Sequence, residues 1–188
     1  GGCGVSGLGG VEFRQWPVHF CRWWGDGVSV KIVLMGVAGC GKSSVGAALG
    51  AALAMAYLDG DDLHPAANIA KMARGEALGD ADRWPWLRLV GQALRGGGII
   101  GCSALKRVYR ELIDAEAGGG VVFVHLSGSR AVIEARMRAR SGHFMPPALL
   151  DSQFATLEPP GADERAVVVD IDQPLAAVVA EIVRGLSA

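Results

Sequence analysis

Gly36-Val37-Ala38-Gly39-Cys40-Gly41-Lys42-Ser43 forms the pattern G-x-x-x-x-G-K-S, behind an apolar run (Val30 to Met35) and ahead of an Ala/Leu-rich helical pattern. Strand, glycine-rich turn and helix in that order specify a phosphate-cradling P-loop. The glycines let backbone N–H groups converge on a polyphosphate, and the helix N-terminus adds positive potential. Gly36, Val37, Ala38, Gly39, Cys40, Gly41, Lys42, Ser43 and Ser44 are therefore the candidate nucleotide-binding residues. Lys42 is expected to reach the outer phosphates as a catalytic cation, and the Ser43 hydroxyl to ligate Mg²⁺. This is chemistry on a nucleoside triphosphate, with Mg²⁺ as its implied partner.

A second set follows the next apolar stretch: Asp59-Gly60-Asp61-Asp62-Leu63-His64-Pro65. Phosphoryl transfer to a small molecule needs a carboxylate that orients the acceptor hydroxyl and takes its proton, and often another that holds the metal through water. Asp61 is assigned to the hydroxyl and Asp59 to the outer metal shell. The same acids could instead cap the next helix, a role that suits Asp62.

Cations make up the third set. Lys106 and Arg110 lie four residues apart, so one helical face would present both to an anionic substrate such as a sugar acid. A solvated basic helix face is the competing reading. Arg136 and Arg140 share a later face, followed by Ser141-Gly142-His143-Phe144-Met145-Pro146-Pro147. A helix ending in arginines before a Gly/Pro-punctuated segment reads as a lid. Its closure would bring guanidinium groups onto the transferring phosphoryl and exclude water.

These residues must be positioned by alternating strands and helices. Strands are expected at 30–35, 56–59, 99–102, 121–126 and 166–170. Helices are expected at 42–54, 65–74, 85–95, 104–116, 129–140, 147–157 and 174–186, with Ser129 as an N-cap and Pro147 and Pro174 in first turns. That alternation predicts an α/β fold: a three-layer α/β/α P-loop NTPase with a mainly parallel five-stranded sheet and a helical lid. Ligands bind beyond the carboxyl ends of such strands, which is where all three sets fall. Residues 1–29 show neither periodicity and are expected to be a disordered leader or a non-native extension, with 30–188 as one domain.

The chain has 188 residues and a formal net charge of −1, with no dense basic run, so a nucleic-acid partner is not expected. The longest weakly polar stretch, Val45 to Leu58, is too short to cross a bilayer, and no membrane partner is expected. Four cysteines without C-x-x-C spacing fit a reducing cytoplasm. The apolar run at 121–126 ends in Ser127 rather than an acid, and N-K-x-D is absent. Both points favour a compact metabolite kinase over a motor ATPase or a switch GTPase.

The chain resembles the gluconokinases of the shikimate-kinase-like P-loop group. The resemblance is carried by Leu58-Asp59-Gly60-Asp61-Asp62-Leu63-His64-Pro65, Asn68 with Lys71-Met72, Asp80-Ala81-Asp82-Arg83, Pro85-Trp86-Leu87, Cys102-Ser103-Ala104-Leu105-Lys106, Gly142-His143-Phe144, Gln153-Phe154 and Thr156-Leu157-Glu158. It covers essentially residues 31–188. It implies ATP-dependent, Mg²⁺-assisted phosphorylation of D-gluconate on its terminal hydroxyl by a cytoplasmic homodimer. A polyol carboxylate needs cations at its acid end, for which Lys71, Arg83, Lys106 and Arg110 are the candidates. It also needs polar groups along its chain, for which Asp61, His64, Asn68 and His143 are the candidates. Another small hydroxylated acid such as shikimate, or a catalytically impaired nucleotide-binding protein, remains the alternative. Cys40 stands where the family often has Ser. The stretch between Trp86 and Cys102 is shorter than the pattern, so a truncated helix and a displaced Lys106 are expected there.

Overall fold

The computed structural model describes residues 30–139 and 147–187, with side chains from 150 onward in the second span. Arg140 and His143, both assigned above to the site, and the residues 1–29 lie outside it. The described strands are β1 (Lys31–Met35), β2 (Tyr57–Asp59), β3 (Gly98–Gly101), β4 (Val121–Ser127) and β5 (Ala166–Asp170). The helices are α1 (Lys42–Leu53), α2 (Ala66–Ala73), α3 (Asp80–Ala93), α4 (Arg107–Ala117), α5 (Arg130–Ala139), α6 (Pro147–Thr156) and α7 (Leu175–Leu186), with a 3₁₀ turn over Gly60–Leu63.

All five strands run parallel, in the order β2-β3-β1-β4-β5. A central parallel strand is covered on both faces and reads as an unbroken apolar run. β1 is that strand: Ile32, Val33, Leu34 and Met35 are fully buried. One face packs Ile32 and Leu34 with Val45 and Leu49 of α1, Ile133 of α5, Leu150 of α6 and Val178 and Ile182 of α7. The other packs Val33 and Met35 with Trp86, Leu87 and Val90 of α3 and Tyr109 and Ile113 of α4.

Two helix starts differ from the sequence reading. α3 begins at Asp80, not Pro85, which lies inside the helix. Gly79 provides the cap: its N–H donates to Asp82 Oδ2 at 2.7 Å and its carbonyl accepts from Arg83 N–H at 3.2 Å. α3 has 14 residues and ends at Ala93, two residues before the expected Arg95. α4 begins at Arg107, not Ala104, because Ala104 holds a left-handed φ of 43° that a helix cannot include. Lys106 sits just outside the helix in extended conformation.

Candidate active site

The phosphate loop is held open by its backbone. Gly39 and Gly41 take φ of 81° and 101°, values that a side chain resists, and Gly41 turns directly into α1. The first amide bonded within the helix belongs to Val45, donating to the Gly41 carbonyl at 2.9 Å. The N–H groups of Lys42, Ser43 and Ser44 at the α1 N-terminus are therefore free for an anion. Lys42 Nζ donates to the carbonyls of Gly36 and Val37, 3.0 and 3.2 Å away, which keeps the ammonium over the loop. Cys40 is fully buried with its sulfur against Gly36, so replacing a serine there leaves the cradle's backbone donors in place.

Both helices flanking residues 140–146 fasten onto this loop. Arg136 of α5 donates to the Cys40 carbonyl at 3.5 Å and to the Ile171 carbonyl, with its guanidinium beside Gly41. From α6, Gln153 Oε1 accepts the Ala38 N–H at 2.6 Å. Arg136 is thus brought to the loop as expected, but it gives N–H groups to carbonyls. Gln153 was named in the sequence only as part of a matched stretch, without a role.

The acids after β2 reach the same cleft. Ser43 Oγ donates to Asp59 Oδ2 at 3.2 Å, and Asp59 Oδ1 accepts the Asp61 N–H at 3.2 Å. One chain of contacts therefore joins α1 to the backbone N–H of Asp61, the residue whose carboxylate is assigned to the acceptor hydroxyl. Desolvation in the cleft and then repulsion from Asp59 raise the Asp61 carboxyl above its ordinary range, against the pull of Lys42. The Asp61 side chain is 81% exposed, so the Asp59 repulsion is the part that a substitution can remove.

His64 stacks on Trp86 with ring centroids 4.2 Å apart, and Trp86 Nε1–H anchors the turn by donating to the Gly60 carbonyl at 2.7 Å. Asn68 is buried, and its Nδ2 lies 2.8 Å from the Asp82 carbonyl, so that atom is the amide nitrogen. The same nitrogen donates to His64 Nδ1 at 3.3 Å, which leaves the ring proton on Nε2, 3.9 Å from Asp61 Oδ1. Burial, ahead of any charge, lowers the pKa of His64 and keeps the ring neutral. Asp61, His64 and Asn68 thus form one polar edge.

Three of the four cations assigned to the acid end gather beside that edge, each already paired. Lys71 Nζ meets Asp82 Oδ2 at 2.6 Å, Lys106 Nζ meets Asp80 at 2.8 and 3.1 Å, and Arg83 meets Asp80 at 3.4 Å. Tyr109 donates its hydroxyl to Asp80 at 2.5 Å. Three cations against two carboxylates leave one positive charge. The two acids were not assigned from the sequence, although both fall in a matched stretch.

Arg110 does not join them. It is 1% exposed, and its guanidinium forks onto Glu164 at 2.5 and 2.8 Å while donating to the carbonyls of Ala104, Leu105 and Glu158. The shared-face argument fails because Lys106 is not helical, so the four-residue spacing no longer sets its direction. Arg110 ties α4 to the segment before β5 and is corrected here from a substrate contact to a structural clamp.

No family model matches the chain. It is 50% identical over 155 residues to the thermoresistant gluconokinase of Escherichia coli, an alignment spanning 79% of this chain and 88% of that protein. A crystal structure of a gluconokinase from Sinorhizobium meliloti superposes with a TM-score of 0.79 at 49% identity, covering 84% of this chain and 91% of that one. Shikimate kinase from Aquifex aeolicus, 18% identical with a TM-score of 0.54, shares the fold alone. At half identity over most of both chains, the chain belongs to the gluconokinase family.

Proposed function

We propose that this chain transfers the γ-phosphoryl group of ATP to the terminal hydroxyl of D-gluconate, giving 6-phospho-D-gluconate. The observation that carries the reading is the contact chain from Ser43 through the Asp59 carboxylate to the Asp61 N–H, which brings the phosphate loop and the residue bearing the second carboxylate into one cleft. In this reading the N–H groups of Gly39 and of Gly41 to Ser44 and the Lys42 ammonium hold the triphosphate, with Arg136 supporting the loop from behind. Asp61 orients the acceptor hydroxyl and receives its proton as the bond to phosphorus forms and the ADP oxygen leaves. Neutral His64 offers its Nε2–H, and Asn68 its amide oxygen, to the hydroxyls along the acceptor.

Ser43 Oγ and Asp59 Oδ2 are hard oxygen donors 3.2 Å apart beside the phosphate loop, a set that fits Mg²⁺ held mainly by phosphate and water. Bound there, the ion would neutralise charge building on the phosphate oxygens. The net single positive charge of the cluster of Lys71, Arg83 and Lys106 suits a monoanionic carboxylate. Arg140 and His143 stay assigned as the lid's contributions, and the working state as a homodimer in the cytoplasm.

Purified protein with ATP, Mg²⁺ and a panel of aldonates, shikimate and free sugars tests the proposal by ADP release and product analysis. Gluconate-dependent ADP release with phosphate on the terminal carbon is the expected result. Absent release with gluconate, or faster release with shikimate, overturns it.

A further inference from the structure

Tyr57, the first residue of β2, has a buried hydroxyl with no hydrogen-bond partner among the described residues. Such orphan groups are rare, because a buried donor without an acceptor costs stability. The residue is nevertheless fitted closely. Side chains alternate along a strand, so Tyr57 and Asp59 leave β2 on the same side, toward α1. The ring lies flat on Gly46 of α1, where a Cβ would come within 2.2 Å of Cε2. The hydroxyl abuts Gly101 of β3, where a Cβ would meet Oη at 2.5 Å while standing 3.4 Å from Cε2 and Cζ. Two glycines thus open a slot whose far end admits a hydroxyl and nothing larger.

That end faces the site. Gly101, against which the hydroxyl lies, is the register partner of Asp59, the residue that accepts the Ser43 proton, and Ser43 stands one turn before Gly46 on α1, so the hydroxyl is directed toward the Ser43 side chain. Ser43 already gives its own proton to Asp59. Its oxygen has two lone pairs, one of which the proposed function assigns to Mg²⁺. The second is open to a donor.

We infer that Tyr57 is a positioning residue: its hydroxyl donates to Ser43 Oγ in the metal–nucleotide complex, fixing the serine rotamer that presents the remaining lone pair to the ion. The inference rests on the assignment of Ser43 to Mg²⁺ in the proposed function. Its stability cost in the free protein is set against a gain realised only when the nucleotide is bound with its metal.

Calorimetric titration of ADP into the full chain, with Mg²⁺ and with EDTA, tests this beside thermal melting. Tyr57→Phe keeps the ring in its slot and removes only the oxygen. The expected result is a melting temperature equal to or above wild type and an unchanged Kd for metal-free ADP. The Kd for Mg-ADP should rise roughly three- to tenfold, the worth of one hydrogen bond. No rise, or an equal rise with EDTA present, overturns the inference. In Gly101→Ala the new methyl displaces the hydroxyl, so Mg-ADP affinity falls there too, and adding Gly101→Ala to Tyr57→Phe should cost nothing further. A full additive loss in the double variant also overturns it. The proposed function fails separately, if the wild-type chain releases no ADP when given gluconate, ATP and Mg²⁺.

Discussion

Replacing Arg110 separates the two roles that its position in the chain allows. Arg110→Met keeps the length and apolar stem of the side chain but deletes the guanidinium. It leaves Glu164, 11% exposed, as an unpaired carboxylate, and takes a donor from the carbonyls of Ala104, Leu105 and Glu158. Breaking a buried ion pair from one side costs about 3–5 kcal/mol. For a domain of this size each kcal/mol moves the melting temperature by about 2–4 °C, so melting should fall by about 6–20 °C. At a temperature where the variant remains folded, its KM for gluconate should match wild type, since the clamp does not face the cation cluster. Arg110→Met with Glu164→Gln should recover part of the loss, because no buried charge is then stranded. The pH dependence has a definite sign. Hydrogen bonding to Arg110 lowers the Glu164 pKa in the folded chain. Its contribution is therefore present above the unfolded carboxyl pKa and lost as pH falls through the lower folded value. The melting gap between wild type and Arg110→Met should accordingly narrow below about pH 4. An unchanged melting temperature with a tenfold rise in gluconate KM would refute the clamp and restore the substrate contact.

Three further outcomes follow from the site. Lys42→Ala should lower kcat by about 10²–10³, the usual loss on removing one charge-stabilising donor, with the circular dichroism spectrum unchanged; wild-type turnover would remove Lys42 from the chemistry. Asp61→Asn should reduce kcat by at least about 10² with ATP affinity kept. Because Asp61 works deprotonated and Asp59 helps raise its pKa, Asp59→Asn should move the acid limb of the pH–rate profile to lower pH, whatever happens to the maximal rate; a limb that stays in place or moves up contradicts the assignment. Gln153→Met, which deletes the acceptor of the Ala38 amide, should raise the KM for ATP and leave that for gluconate unchanged in initial-rate measurements; a reversed pattern would assign α6 to the acceptor side.

Much of the scaffold was legible because local pattern and global fold agree. β1 lies between β3 and β4 in the sheet and is buried on both faces, so its sequence is a plain apolar run, and the P-loop follows it without an intervening turn. Legibility ends where a partner far along the chain decides. The start of α4 is set by Glu158, whose carboxylate accepts the Arg107 N–H at 2.6 Å from 51 residues away. Lys106 is thereby left outside the helix, free to meet Asp80, and Arg110 turns inward to Glu164. No spacing rule contains that information, since it presumes that both residues are helical. The start of α3 was missed for a nearer reason. Its cap is a glycine, and only the Asp82 carboxylate reaching back to Gly79 N–H marks the boundary, whereas Pro85 gives a stronger but misplaced signal.

The same remote contacts explain how two substrates are held in register. α6 bonds the phosphate loop through Gln153, and the segment just beyond it bonds the start of α4 and the residues leading into it: Glu158 accepts from Arg107 N–H and donates its own N–H to the Leu105 carbonyl at 2.8 Å. α4 follows Lys106, one of the cations proposed above for the acid end of the acceptor. One strut, seated in the core by Leu150, Phe154 and Leu157, therefore spans from the nucleotide half to the acceptor half. Phosphoryl transfer tolerates little error in the distance between attacking and leaving oxygens. A strut bonded at both ends fixes that distance more firmly than the exposed ion pairs of the cleft could, because each exposed pair alone contributes at most about 1 kcal/mol.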